Sequence, residues 1–191
     1  MFRKLFPIYA VAALAAIVLL PSPIRAQHRA KMDSAWVFLV DAPTSCDYSI
    51  TNVNVQETWR PRNERGGMEH KTMLTFRSSN YDLCEELLTS YIEGSVEIPA
   101  SAFRLQGLKS ATLQVTIDFR DQVDGTIVPV IFDMVMTCLE GSGEGNGSGG
   151  YCVSMPSGSL LVRGRNLVDA PEQDGQLTRQ TGIVPQGSSL F

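Results

Sequence analysis

Hydrophobic and polar side chains alternate from Thr112 to Phe119. Leu113, Val115, Ile117 and Phe119 share one parity, and Thr112, Gln114, Thr116 and Asp118 share the other. Successive side chains of a strand point to opposite faces, so this pattern predicts a strand with one buried and one solvated side. The polar turn RDQVDG follows, in which Gly125 supplies the positive φ that a tight turn requires. The next run is TIVPVIFDMVMTC. Val128, Val130, Phe132, Met134, Met136 and Cys138 are apolar on one face, and Ile127, Ile131 and Val135 make the other half apolar. That pattern predicts a central strand covered on both sides. Pro129 has no N–H, so regular pairing is expected to start after it or to cross a bulge.

The remaining segments are shorter. Trp36–Val40 (WVFLV) reads as a buried first strand, and Cys46 to Trp59 as a second, with a phase break near Asn52 that suggests a bulge. Thr72–Arg77 is a third. Leu83, Leu87, Leu88 and Tyr91 recur at helical spacing behind Ser79 and Asn80 as cap candidates, which predicts one short helix over 81–91. Val96 and Ile98 begin another strand, Ala102 to Leu105 form a short edge or turn, and Leu160–Val162 a last strand that reaches back toward Tyr151. Together these predict a mainly β fold: an antiparallel β-sandwich or barrel of about seven to eight strands with the helix over one edge.

The N-terminus has another character. Arg3 and Lys4 precede an apolar stretch from Phe6 to Leu20, Pro21 and Pro23 break it, and Ala26 is small. This is the pattern of a cleaved secretory signal, residues 1–26. Its apolar stretch is shorter than the roughly 20 residues that cross a bilayer, so no membrane span is expected after cleavage. A single β-rich domain is then expected over 27–163. Residues 164–191, rich in Gln, Asp, Gly, Pro and Ser, read as a flexible polar tail. Export, to the periplasm or the extracellular space, makes the four cysteines read as disulfides. Cys46–Cys84 and Cys138–Cys152 are the expected pairs, the second closing the Gly-rich loop 139–151.

The net charge of -4 falls to about -7 when Arg3, Lys4 and Arg25 leave with the signal. An acidic chain argues against a nucleic-acid partner, which needs a basic surface. The Gly-rich loop has no phosphate-binding Lys and no helix signal after it, and its Asn146-Gly147-Ser148 is a formal glycosylation acceptor. Asp118, Asp121 and Asp124 cluster at the hairpin tip, a weak calcium candidate without EF-hand spacing. No other cofactor is expected. No nucleophile elbow or zinc-protease motif occurs. Trp59, Arg60, Arg62, Arg65, His70 and Lys71 form the one basic, aromatic-flanked segment, suited to stacking and to pairing with carboxylates or sulfates on a glycan or protein surface.

The function these features predict is an exported, non-catalytic binding or assembly module, with self-assembly through strand edges as one form of it. The alternative is a secreted hydrolase or metal-dependent enzyme whose site is dispersed along the chain and includes His70.

Overall fold

The computed structural model describes residues 29–62, 67–146 and 149–183. The expected signal, Arg65, the end of the sequon and residues 184–191 lie outside the described residues. Eleven strands run in chain order: β1 Arg29–Asp41, β2 Asp47–Arg62, β3 Gly67–Asp82, β4 Leu87–Glu97, β5 Phe103–Gln106, β6 Ser110–Arg120, β7 Ile127–Cys138, β8 Glu144–Asn146, β9 Gly149–Val162, β10 Arg165–Asn166 and β11 Glu172–Ile183. The only helical pieces among the described residues are 3-10 turns at Ala100–Ala102 and Leu167–Asp169.

The main path of the sheet is β4-β3-β2-β1-β11-β9-β7-β6-β5, with β8 and β10 added to β9. Every pairing is antiparallel. β9 serves two neighbours in turn: Gly149–Val153 pair with β11, and Ser154–Val162 pair with β7. That hand-over lets one sheet fold back over itself. Phe76 of β3 accordingly meets Phe119 of β6 at 5.3 Å and Phe132 of β7 edge-on at 5.6 Å between ring centroids. The path stays open, because β4 and β5 do not pair. An isolated bridge between Ile92 and Asp121 ties β4 to the end of β6.

Alternation places the core between the two layers. Val37 and Leu39 of β1, Val53 and Val55 of β2, Leu74 and Phe76 of β3, Leu113 of β6 and Val130, Phe132, Met134 and Met136 of β7 are all buried. Burying such side chains contributes on the order of 1.5–3 kcal/mol each. Val115 and Ile117 share the inward parity but are only half-buried. β5 pairs β6 from Ser110 to Leu113 alone, so β6 is an edge beyond that point.

The hairpin β6–β7 forms as its period requires, with continuous register from Ser110↔Thr137 to Arg120↔Ile127. Pro129 enters that ladder without a register shift, and pairing with β9 begins at the next residue, Val130. β7 is not covered on both sides, however. Ile127, Ile131 and Val135 are exposed, because no layer packs on the outer face among the described residues. The run Trp36–Val40 is likewise half-buried: Val37 and Leu39 face in, Trp36 and Phe38 face out. β2 has no bulge at Asn52. It pairs β3 without a shift over its whole length. The hydrophobic period breaks because Thr51 and Ser78 fill inward positions and satisfy each other at 2.9 Å.

Two expectations fail outright. Residues 81–91 are not a helix. Asp82 accepts the amides of Cys84 and Glu85 at 2.9 and 3.0 Å, Glu86 sits at φ 54°, and the chain reverses into β4. Leu83 and Leu87, spaced as a helix face, are both exposed. Nor is the domain complete at residue 163, since β11 lies between β1 and β9 near the centre of the sheet. Its inner face holds one core hydrophobe, Leu177. Buried Gly175 stands where a Cβ would come within 2.7 Å of the Ser154 carbonyl oxygen, and Arg179 is ion-paired. A strand built this way looks polar in sequence. With β11 counted, the strands among the described residues number eleven rather than about seven to eight.

Both expected disulfides are present, Cys46–Cys84 and Cys138–Cys152. The first joins the β1–β2 turn to the β3–β4 turn, and the second joins the end of β7 to β9. Two disulfides fit an oxidising compartment outside the cytoplasm. Among the described residues no helix is long and apolar enough to cross a membrane.

Candidate functional site

β1, β2, β3 and β11 are long, and their inner face changes character along its length. Where Ala35, Val55, Leu74 and Leu177 lie, it is core. One step further along each strand the direct cross-strand neighbours are Arg179, Asp33, Glu57 and Thr72. A further step brings Lys31, Trp59 and His70 side by side on β1, β2 and β3. Strand parity puts these residues on one face, although they are far apart in sequence.

Asp33 is 1% exposed and Glu57 8%. Burying a carboxylate is costly unless it is paired. Asp33 accepts from Arg179 Nε and NH2 at 2.8 Å each, in fork geometry, and from Lys31 Nζ at 2.8 Å. The Asp33 carboxylate raises the pKa of Arg179 above its usual value. Glu57 Oε1 lies 2.6 Å from His70 Nε2. The Lys31 ammonium stands 4.1 Å above the Trp59 ring, and His70 stacks on Trp59 at 4.9 Å with the planes 4° apart. Trp59 thus separates a lysine from a histidine, each anchored to its own buried acid. The Thr72 hydroxyl, in the row behind, is buried and has no hydrogen-bond partner among the described residues.

An ammonium carries three N–H donors and a guanidinium five. Asp33 uses one of the former and two of the latter. Two N–H donors of Lys31 and three of Arg179 are left without a partner among the described residues. Lys31, His70 and Arg179 are each about one-third exposed, so solvent and small ligands reach them.

Of the basic segment expected from sequence, Trp59 and His70 join this cluster. Arg60 and Lys71 fall on the opposite parity, and Lys71 pairs with Glu97 of β4 at 3.3 Å on the exposed face. Arg62 ends β2. Residues 58–62 and 67–71 pair as two strands, and their alternation sends Trp59 and His70 to one face and Arg60 and Lys71 to the other. Lys31, Asp33, Glu57, Thr72 and Arg179 were not singled out. Asp33 and Arg179 are separated by 146 residues, and no local pattern signals their pairing.

The acidic hairpin tip resolves differently. Asp121 is fully buried and accepts from Ser90 Oγ at 2.5 Å, from the Tyr91 and Val123 amides at 3.1 and 2.8 Å, and from Arg163 NH2 at 2.8 Å. Burial pushes its pKa up, but the Ser90 hydroxyl and the two amides outweigh that, and the net shift is downward. Asp124 binds the hydroxyl and amide of Thr126 at 2.6 and 2.8 Å and Arg163 NH2 at 2.9 Å, which lowers it to about 2. Asp118 is exposed on β6. Asp121 and Asp124 thus meet around the Arg163 guanidinium, and Asp118 stands apart. Among the described residues no three His, Cys, Asp or Glu side chains are grouped to hold a metal ion.

No protein family matches the chain, and no curated protein does. Among solved structures it is similar to a crystallised Nitrosomonas europaea protein described as an AttH. The identity is 14% and the TM-score 0.36, over 88% of this chain and 58% of that one.

Proposed function

We propose that the chain is an exported, non-catalytic binding module of the periplasm or extracellular space, and that the Lys31–Trp59–His70 end of the sheet takes an anionic glycan. The observation that carries this reading is the row itself: an aromatic ring flanked by Lys31 and His70, with Arg179 behind and N–H donors of Lys31 and Arg179 left unspent. The two disulfides and the signal-like pattern of residues 1–26 support export.

The His70–Glu57 pair resembles a base with its orienting acid, the one feature that favours a hydrolase. No hydroxyl or thiol hydrogen-bonds to His70 among the described residues, so a hydrolase here would rest on water activated by His70. The test is titration calorimetry of the mature chain with a sulfated hexasaccharide and its desulfated counterpart. Binding is expected for the sulfated form only. It should weaken by about tenfold in Lys31→Ala and fall as salt rises. Equal affinity for the desulfated form refutes the proposal, and cleavage of the probe that depends on His70 replaces it with the hydrolase.

A further inference from the structure

The sequence of β7 is apolar on both faces, but the described residues cover only one of them. Ile127, Ile131 and Val135 point outward from β7, and Leu139 follows at the same spacing; they are 61%, 39%, 39% and 45% exposed. The outer face of β9 continues this surface, with Tyr151, Val153 and Met155 exposed as well. Register joins the two strands, Leu161 standing beside Ile131 and Met155 beside Thr137. Of the twelve large apolar side chains exposed among the described residues, seven therefore gather here. Apolar residues scattered singly over a surface are ordinary, whereas a contiguous set of this extent marks a contact.

We infer that two copies of the chain meet through this face, sheet on sheet, with β6, β7 and β9 of one copy against the same strands of the other. Charge argues for a second copy as the occupant. The mature chain carries a net charge of about -7, so two copies repel over most of their surface. The outward positions of β5, β6, β7 and β9 instead hold two acids, Asp118 and Asp133, and two bases, Arg104 and Arg120. Identical faces of zero net charge approach without that repulsion, and a two-fold axis matches each face to itself. Asp133 accepts from Gln114 Nε2 at 2.9 Å, so the acid within the apolar strip is turned toward β6. Shape agrees with charge. Ile131 and Val135 stand as ridges beside the slimmer Asp133 and Thr137, and facing sheets interdigitate such ridges about 10 Å apart. Size agrees as well. At about 3.4 Å per residue and about 4.8 Å between strands, three strands of this length make a face roughly 40 Å by 15 Å. Side-chain relief brings its accessible area near the roughly 800 Å² per partner of a standard interface. The contact does not rest on the glycan reading, since it lies on the opposite face of the sheet from Lys31, Asp33 and Trp59.

The test is sedimentation equilibrium of the mature chain over a wide concentration range. A reversible monomer–dimer equilibrium is expected. Ile131→Lys/Val135→Lys should weaken it about hundredfold or more. Each added lysine brings the net charge nearer zero, so loss of the dimer in this variant does not come from greater overall repulsion. Leu83→Lys/Leu87→Lys makes the same charge change on two exposed leucines of the β3–β4 hairpin and should leave the equilibrium unchanged. Ile131→Thr/Val135→Thr keeps β-branched side chains, and it should weaken the dimer about tenfold with an unchanged circular dichroism spectrum. That variant decides the matter if the lysine variant does not fold. The sulfated hexasaccharide should bind wild type and both Ile131/Val135 variants alike, so failure of the dimer and failure of the glycan reading are told apart. A chain that stays monomeric at every concentration overturns the inference, and so does a mass that grows beyond the dimer, because a two-fold contact closes. A dimer that survives both Ile131/Val135 variants, or one that Leu83→Lys/Leu87→Lys disrupts equally, places the contact elsewhere. A monomer that dimerises only once residues 184–191 are removed gives the face to that segment instead.

Discussion

Asp121→Ala removes the side chain that hydrogen-bonds the free edge strand β4 to the end of β6. β4 ends the strand path, and its tie to the opposite layer is the Ile92–Asp121 bridge, together with the Gln122 amide on the Tyr91 carbonyl at 2.7 Å. The Asp121 carboxylate holds Ser90 and Tyr91 of β4, Val123 of the hairpin turn and Arg163 beyond β9. Breaking a buried charge pair from one side costs about 3–5 kcal/mol, and hydrogen bonds to a charged acceptor contribute about 1.5–3 kcal/mol each without being additive. Arg163 is 42% exposed and regains water, which places the expected loss at the low end, about 3 kcal/mol. Asp118→Ala, on the exposed face of the same hairpin, should change stability by less than about 0.5 kcal/mol. Urea unfolding with the disulfides intact is the assay. With a slope of about 2 kcal/mol/M, Asp121→Ala should lower the midpoint by about 1.5 M and Asp118→Ala should leave it in place. Equal midpoints for the two variants would refute the assignment of Asp121 as the tie.

Loss of each disulfide should destabilise by loop closure, by about 4 kcal/mol for the 38-residue Cys46–Cys84 separation and about 3 kcal/mol for the 14-residue Cys138–Cys152 separation. Paired Cys→Ser variants compared by urea midpoint check the order. Asp121 and Asp124 both have lowered pKa values, Asp124 at about 2. Their contribution should be complete above about pH 4, the ordinary carboxylate range, and fade as pH falls toward 2. Melting curves of wild type and Asp124→Asn should therefore differ at pH 6 and converge near pH 2. Gly158 has φ 90°, and a Cβ there would stand 2.4 Å from the Asp133 carbonyl oxygen, so Gly158→Ala should destabilise by about 2 kcal/mol or more in the same unfolding assay.

The hairpin and both disulfides were legible because their signals are local: a period of two, a turn glycine, and cysteines placed at the ends of strands. β11 was not, because its inner face is built from Leu177, a glycine pressed against a backbone and an arginine whose acid is on β1. The leucines of 83–88 misled for the converse reason, since their spacing suits a helix while Asp82 closes a turn through backbone amides. At the candidate site the sequence supplied Trp59 and His70 as neighbours in a basic segment. It did not supply Lys31, Asp33, Glu57 or Arg179, because strand register across four strands, rather than proximity in the chain, brings them together. The same alternation that gathers Trp59 and His70 sends Arg60 and Lys71 to the other face.

Two-dimensional amide and side-chain chemical-shift mapping of the isotope-labelled mature chain, titrated with a sulfated hexasaccharide, tests the central functional claim most directly. The predicted result is a saturable set of shifts centred on Lys31, Trp59, His70 and Arg179, lost with the desulfated probe and in Lys31→Ala. Shifts that leave these four residues unmoved while the probe binds elsewhere, or no saturable shifts at all, would contradict it.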